Sequence, residues 1–296
     1  IFKRRCRWWF NRRSIIKCRR FLWNCKCILN LKKAFFKNIL RSLGVIRIFD
    51  NIRFQILRFK NLSANEKYKK EFPETPLPPD YILYEAHQIN YASYISNGFK
   101  NAKKLKDQFE VYIDLEGKNV LDWGCGPSRI LRHFPSLLEN TFFYGSDYNE
   151  DTIAWNKENI KGPSFIVNGL NPPMMIQDEF FNAIYGLSVF THLSLENHFS
   201  WVKELYRITD KNAILIITTQ GEVYKRKLFG VDLKKFQSNE IVIQGNTKEG
   251  HRTFSAFHPP KAVRLIFEKY FKVLKHIPGK VHDWGLSQDT WILKKD

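Results

Sequence analysis

The sequence predicts an α/β fold built on a doubly wound, mostly parallel sheet, and three observations predict it. From residue 118 onward, short apolar runs alternate with stretches of helical spacing. One such run, Val120-Leu121-Asp122-Trp123, leads directly into Gly124-Cys125-Gly126. Another, Ala213-Ile214-Leu215-Ile216-Ile217-Thr218, is apolar along nearly its whole length, as a strand covered on both faces requires. Alternation of this kind packs helices against both sides of a parallel sheet.

The chain has 296 residues and a formal charge of +19, and the charge is concentrated at one end. Residues 1–60 hold 18 Lys/Arg against one acid, Asp50, a net of +17, so the rest carries only +2. The high isoelectric point therefore describes an N-terminal extension, and no nucleic-acid role follows for the body. The extension interleaves its cations with Trp8, Trp9, Phe10, Phe21, Trp23, Phe35 and Phe36, and parts read as amphipathic helix. Such a helix suits the surface of an anionic membrane. A basic leader without a fixed partner fits the composition as well. Cys6, Cys18, Cys25 and Cys27 form no CxxC pair, so no zinc site is predicted, and no other metal-ligand cluster is visible. Cys125 is the single cysteine of the body, which fits a reducing cytoplasm. No run of about 18 apolar residues predicts a membrane span, and no long apolar stretch marks a signal peptide.

Residues 61–80 contain Pro73, Pro76, Pro78 and Pro79 and read as a linker, which sets residues 81–296 apart as the main domain. Within it, residues 81–110 are expected to be helical, with Tyr81, Tyr84, Tyr91 and Tyr94 at compatible spacings. The strand at 120–123 is followed by an expected helix at about 128–138. Phe142-Phe143-Tyr144-Gly145 reads as the second strand, ending at Asp147, with a helix at about 150–160 behind it. Ser164-Phe165-Ile166-Val167 and Phe181-Asn182-Ala183-Ile184-Tyr185 are the third and fourth strands. Leu195, Phe199, Val202, Leu205 and Tyr206 then line one face of a helix before the fifth strand at 213–218. Residues 220–257 break the rhythm and read as an insertion, and a helix (about 259–269) and strands at 271–277 and 289–294 close the chain.

In an open α/β sheet, ligands sit beyond the carboxyl ends of the strands. Asp122 ends the first strand there, and the glycines after it allow close approach of backbone to a ligand, with the amides of the following helix expected to face that spot. A dinucleotide fingerprint needs a third glycine where this chain has Arg129. A carboxylate at the strand tip would also repel a diphosphate and attract a ligand bearing an ammonium and a sulfonium. Asp147 stands where an acid accepts hydrogen bonds from ribose hydroxyls, although an aspartate there also serves as a helix cap.

These residues, with Tyr144-Gly145-Ser146-Asp147, Ser188-Val189-Phe190-Thr191-His192-Leu193 and Thr218-Thr219-Gln220-Gly221, resemble the class I S-adenosylmethionine-dependent methyltransferases from about residue 118 to 220. The resemblance implies a Rossmann-like sheet of seven strands with the last antiparallel. It implies S-adenosylmethionine as cofactor, with Asp122, Gly124, Cys125 and Gly126 around its methionine part and Asp147 and Tyr148 at the ribose. Asn168 and Gly169 would lie beside adenine, and Ser188 at the donor edge. Asn168 stands where many relatives have an acid, and Ser128 where a third glycine often sits.

Three histidines are candidate bases for an acceptor hydroxyl: His192 after the fourth strand, and His251 and His258 in or just beyond the insertion. Each can equally be a packing or surface histidine. Gln288-Asp289 with Trp291 resembles bacterial methyltransferases of cell-surface saccharides. The expected acceptor is therefore a sugar hydroxyl on a surface glycan or its precursor. The alternatives are another small molecule, lipid-like or quinone-like, at a membrane surface, and a non-catalytic module that keeps the cofactor site. Asn171-Pro172-Pro173-Met174 resembles the motif of base-amine methyltransferases, but it lacks their aromatic and follows the third strand, so it reads as a rigid loop.

Overall fold

The computed structural model describes residues 45–296. Most of the basic extension, residues 1–44 with its four cysteines, lies outside the described residues. The described part begins with three helices, α1 (Ile46–Glu71), α2 (Asp80–Ala86) and α3 (Tyr91–Glu110). α1 runs through position 60 without a break, so the proline-bearing connection is confined to residues 72–79. The helix expected over 81–110 is two helices. Asn90 restarts the second by accepting the Ser93 N–H at 2.8 Å, the usual work of an N-cap.

The body strands are β1 (Asn119–Trp123), β2 (Phe142–Asp147), β3 (Ser164–Val167), β4 (Phe181–Gly186) and β5 (Thr209–Thr219), joined by helices α4 (Glu150–Asn159, after β2) and α5 (Leu195–Ile208, after β4). The region after β5 holds α6 (Gly230–Gln237) and a hairpin of β6 (Val242–Gln244) and β7 (Ser255–Phe257), then α7 (Pro260–Phe267) and β8 (Lys272–Ile277). A short ribbon of β9 (Val281–His282) and β10 (Gly285–Leu286) leads into β11 (Asp289–Lys294). The main sheet has seven strands in the order β3-β2-β1-β4-β5-β11-β8. β11 runs antiparallel to both neighbours, as expected for the last strand.

The helix expected at 128–138 is replaced by a 3-10 turn, Leu131–Ser136. Gly124, Gly126 and Ser128 all have positive φ (73°, 49° and 55°), which keeps the chain out of the right-handed region. Pro135 then removes an amide donor inside the turn.

Alternate residues of the strands feed two cores. Leu121 and Trp123 of β1 pack with Trp201, Val202 and Leu205 of α5 and Val263 and Phe267 of α7. Val120 packs on the other face with Ala102, Leu105 and Phe109 of α3 and Ile153 of α4. This is the two-sided burial that the unbroken apolar strands require. The insertion closes a smaller core of its own around Tyr224, Leu228, Phe236, Val242 and Phe257.

Candidate active site

The tips of β1 and β2 build the floor of a cavity. The amides of Gly124 and Cys125 both donate to the Ser146 carbonyl, at 2.8 and 2.9 Å. The Gly126 N–H donates to Asp147 Oδ2 at 2.9 Å, Pro127 has no N–H, and the Ser128 N–H donates to the Cys125 carbonyl at 3.1 Å. From 124 to 128, then, every amide is committed inside the protein. The glycine bend offers no donors to a diphosphate and, with no α-helix beginning behind it, no positive helix end either. This corrects the expectation that a helix aims its amides at the ligand. What the floor presents is carboxylate.

Asp122 is buried at the strand tip, and burial pushes its carboxyl up to about 7. Neighbouring Tyr185 and Arg129 oppose that shift, and the charge of Asp147 adds to it. The site therefore holds an acid whose ionisation a cationic ligand would favour. Asp147 is also raised, by burial, against the amides of Asn149 and Gly126 that it accepts. Those two bonds occupy one lone pair on each of its oxygens, and a carboxylate has lone pairs left for ribose hydroxyls. The capping and sugar-binding readings of Asp147 are thus compatible.

All nine residues expected to bind the cofactor line this one cavity: Asp122, Gly124, Cys125, Gly126, Asp147, Tyr148, Asn168, Gly169 and Ser188. Asn168 gives its amide hydrogen to the Gly169 carbonyl at 2.7 Å, which leaves its Oδ1 buried with no hydrogen-bond partner. A buried orphan acceptor is costly unless a donor fills it, and an adenine amino group is such a donor. Trp201 holds the loop in place by donating from Nε1 to the Leu170 carbonyl at 2.9 Å. Ser188, at φ 66°, gives its amide to Thr218 Oγ1, which in turn donates to Gln288 Oε1 at 2.6 Å. The Cys125 thiol is pushed up by burial and is no nucleophile. The residues present fit S-adenosylmethionine.

The roof comes from distant segments. The Glu249 carboxylate accepts the Ser194 N–H at 2.6 Å and the Asn197 amide at 2.8 Å, so it anchors the start of α5. The Gly250 N–H donates to the His192 carbonyl at 2.9 Å. A Cβ on Gly250 would lie 2.9 Å from the Tyr148 ring, so only glycine lets the roof close this tightly. The Arg252 guanidinium sits 3.7 Å from the centre of the Tyr84 ring and donates to the Tyr84 carbonyl at 2.6 Å. The Tyr84 hydroxyl in turn donates to Asp50 of α1 at 2.8 Å.

The three candidate bases separate. His192 lines the cavity, and its Nδ1 lies 2.9 Å from the Phe254 carbonyl. A carbonyl only accepts, so Nδ1 carries the hydrogen and the ring lone pair is on Nε2. His251 also lines the cavity, but its Nδ1 accepts the Thr253 N–H at 3.2 Å and its Nε2 is 3.3 Å from Glu85 Oε1. With both nitrogens committed, His251 serves Glu85 and not an acceptor. Burial would raise the Glu85 carboxyl, but the hydrogen bond from His251, with Tyr81 and Arg252, holds it below the usual range. His258 does not line the cavity. It is fully buried, accepts the Gln220 N–H at 3.2 Å and contacts His198 at 2.8 Å. Burial drives His258 well below the ordinary histidine range and His198 to about 4, so both are neutral packing groups.

The sequence did not single out Glu85, and noted Arg129 only as a departure from glycine. Arg129 lines the cavity near Asp122, and burial lowers its pKa against that acid's pull. A guanidinium there can pair with the carboxylate of an amino-acid moiety. The Gln288–Trp291 segment lies outside the cavity. Asp289 is wholly buried, accepts the Gly279 N–H at 2.8 Å and faces His276 at 2.7 Å. Met174 is buried and its amide donates to Glu204, while Asn171 accepts from Asn197, so the two-proline loop is structural.

Residues 121–217 match the family of the methyltransferase domain. Among solved structures, the chain resembles magnesium protoporphyrin IX methyltransferase from Synechocystis with S-adenosylhomocysteine bound, at TM-score 0.50 and 15% identity over 80% of this chain and 100% of that one. It also resembles a S-adenosylmethionine-dependent methyltransferase from Methanosarcina mazei, at TM-score 0.47 and 16% identity over 63% of this chain and 95% of that one. No curated protein matches the chain. At 15% identity the likeness to the Synechocystis structure shows the fold alone, and the methyltransferase domain match covers residues 121–217. Residues 121–217 thus match the methyltransferase domain, within a chain whose seven-stranded sheet has the Rossmann-like methyltransferase fold.

Proposed function

We propose that the protein methylates a hydroxyl oxygen of a small molecule, with His192 as the general base, and that the hydroxyl belongs to a sugar of a surface glycan or its precursor. The observation that carries this reading is the tautomer of His192, fixed by the Phe254 carbonyl, in the cavity that holds the donor set. The sugar rests on the sequence resemblance around Gln288 and Asp289.

Bound S-adenosylmethionine supplies a methyl carbon on a sulfonium and leaves as neutral S-adenosylhomocysteine. Asp122 would ionise beside the cationic end of the donor, and Asp147 has the lone pairs that would accept from its ribose. The acceptor hydroxyl gives its proton to His192 Nε2. The oxygen so deprotonated would be the nucleophile for the methyl group that the bound donor would supply, the electron pair of the carbon–sulfur bond passing to sulfur. The Phe254 carbonyl steadies the imidazolium through Nδ1–H. Glu85, held by His251, adds a fixed negative charge at the roof, beside the cavity where the acceptor would be aligned.

Labelled donor incubated with nucleotide sugars and glycan fragments tests the reading. Label in the sugar fraction is expected, and His192→Gln should lower turnover by about 10²–10⁴-fold with cofactor affinity retained. Label found only in protein or nucleic acid overturns it, as does full activity of the variant. Cofactor binding without transfer to any acceptor would favour a scaffold.

A further inference from the structure

α1 carries a stripe of apolar side chains that stays exposed among the described residues. Ile48, Ile52, Ile56, Phe59 and Leu62 are 60, 50, 49, 80 and 49% exposed. Their spacing of three and four residues puts them on one face. The opposite face is the one that holds the domain. Phe54 packs on Tyr81 and Tyr84, Asp50 accepts from Tyr84, and Asn65 accepts the Tyr91 N–H at 3.1 Å. Exposed Arg53 and Lys60 flank one side of the stripe, and Arg47 the other, beside Arg58, which pairs with Asp80 at 3.1 Å.

We infer that this stripe is the docking face for an anionic lipid surface, with the apolar side chains entering the interface and the flanking cations meeting the headgroups. The charge decides the occupant. The helix continues a segment in which residues 1–60 total +17, with Trp8, Trp9 and Trp23 among the cations. A second copy would bring the same charge against it and be repelled. A nucleic acid would answer the cations but leave five apolar side chains without a partner. An anionic bilayer answers both. The inference does not depend on the acceptor proposed above.

Sedimentation of the full chain with vesicles tests it, comparing pure phosphatidylcholine with an equimolar mixture of phosphatidylcholine and phosphatidylglycerol. Binding is expected to the mixed vesicles only. The double variant Ile52→Glu, Phe59→Glu should bind them about tenfold more weakly or worse, with its circular dichroism and its affinity for S-adenosylhomocysteine unchanged. Both side chains point away from the domain, so a folding defect is not expected, and these two measurements would expose one. Three results overturn the inference: no sedimentation of the wild-type chain with mixed vesicles, full sedimentation of the double variant, or a wild-type dimer in solution that the double variant abolishes.

Discussion

The floor and the roof of the cavity are built by different rules. The floor joins residues close in sequence: Asp122, the glycine bend and Asp147 sit on adjacent parallel strands, tied by backbone bonds that the sheet register imposes. The roof joins residues far apart. Glu85 meets His251 at 3.3 Å, and Arg252 meets Tyr84 at 2.6 Å across a separation of 168 residues. A floor made of strand tips is fixed by the fold itself. A roof made of side-chain pairs between separate segments is adjustable, and its changes should reach turnover before cofactor affinity.

The comparison breaks most easily at Gly124. Its φ is +73°, and a Cβ there would lie 2.5 Å from Val189. Gly124→Val should cost about 3 kcal/mol or more of stability and abolish cofactor binding. The cause is the clash and the backbone strain and not the filling of ligand space. Calorimetry showing wild-type affinity in a folded variant would refute the floor assignment.

Glu85→Gln tests the roof. Removing the charge that His251 holds should lower turnover about tenfold or more, the scale of one hydrogen bond to a charged group. The cofactor dissociation constant should stay within about twofold. If both move together, floor and roof are one unit.

Asp122→Asn sharpens the comparison through pH. The carboxyl of the folded chain stands at about 7, against roughly 4 when unfolded. A raised value favours the fold while the group is protonated, so that contribution is lost as pH rises from about 4 through 7. Asparagine cannot ionise. The variant should melt with the wild type near pH 4 and progressively above it toward pH 8 in thermal scans, while binding S-adenosylmethionine more weakly. The wild type should release a proton on binding below pH 7, read from the buffer dependence of the calorimetric heat.

The smallest effect belongs to Ser128, a residue with a side chain at φ +55°. Ser128→Gly should raise stability by about 0.5–1 kcal/mol in urea denaturation, the left-handed penalty less the added freedom of the unfolded chain. Destabilisation would mean that the serine hydroxyl has a role in the bend.

The same contrast explains what could be read from the sequence. The strands of the sheet were legible, because apolar runs mark buried strands, and the nine residues named for the cofactor line one cavity because the bend sits at the end of such a strand. The 3-10 turn after β1 was missed because helical spacing in Ile130, Leu131 and Phe134 masked three left-handed sites at alternate positions, 124, 126 and 128. Glu85 gave no local signal, since its meaning comes only from His251. The histidines looked alike in sequence. Their ring partners, a carbonyl for His192, a carboxylate for His251 and another imidazole for His258, separate them.

Asp50 belongs to α1, yet through Tyr84 it steadies Arg252 at the mouth of the cavity. The latch on the reaction chamber is thus mounted on the outermost helix of the described chain. A tilt of that helix would carry Asp50 with it and so disturb the Tyr84–Arg252 pair at the cavity wall.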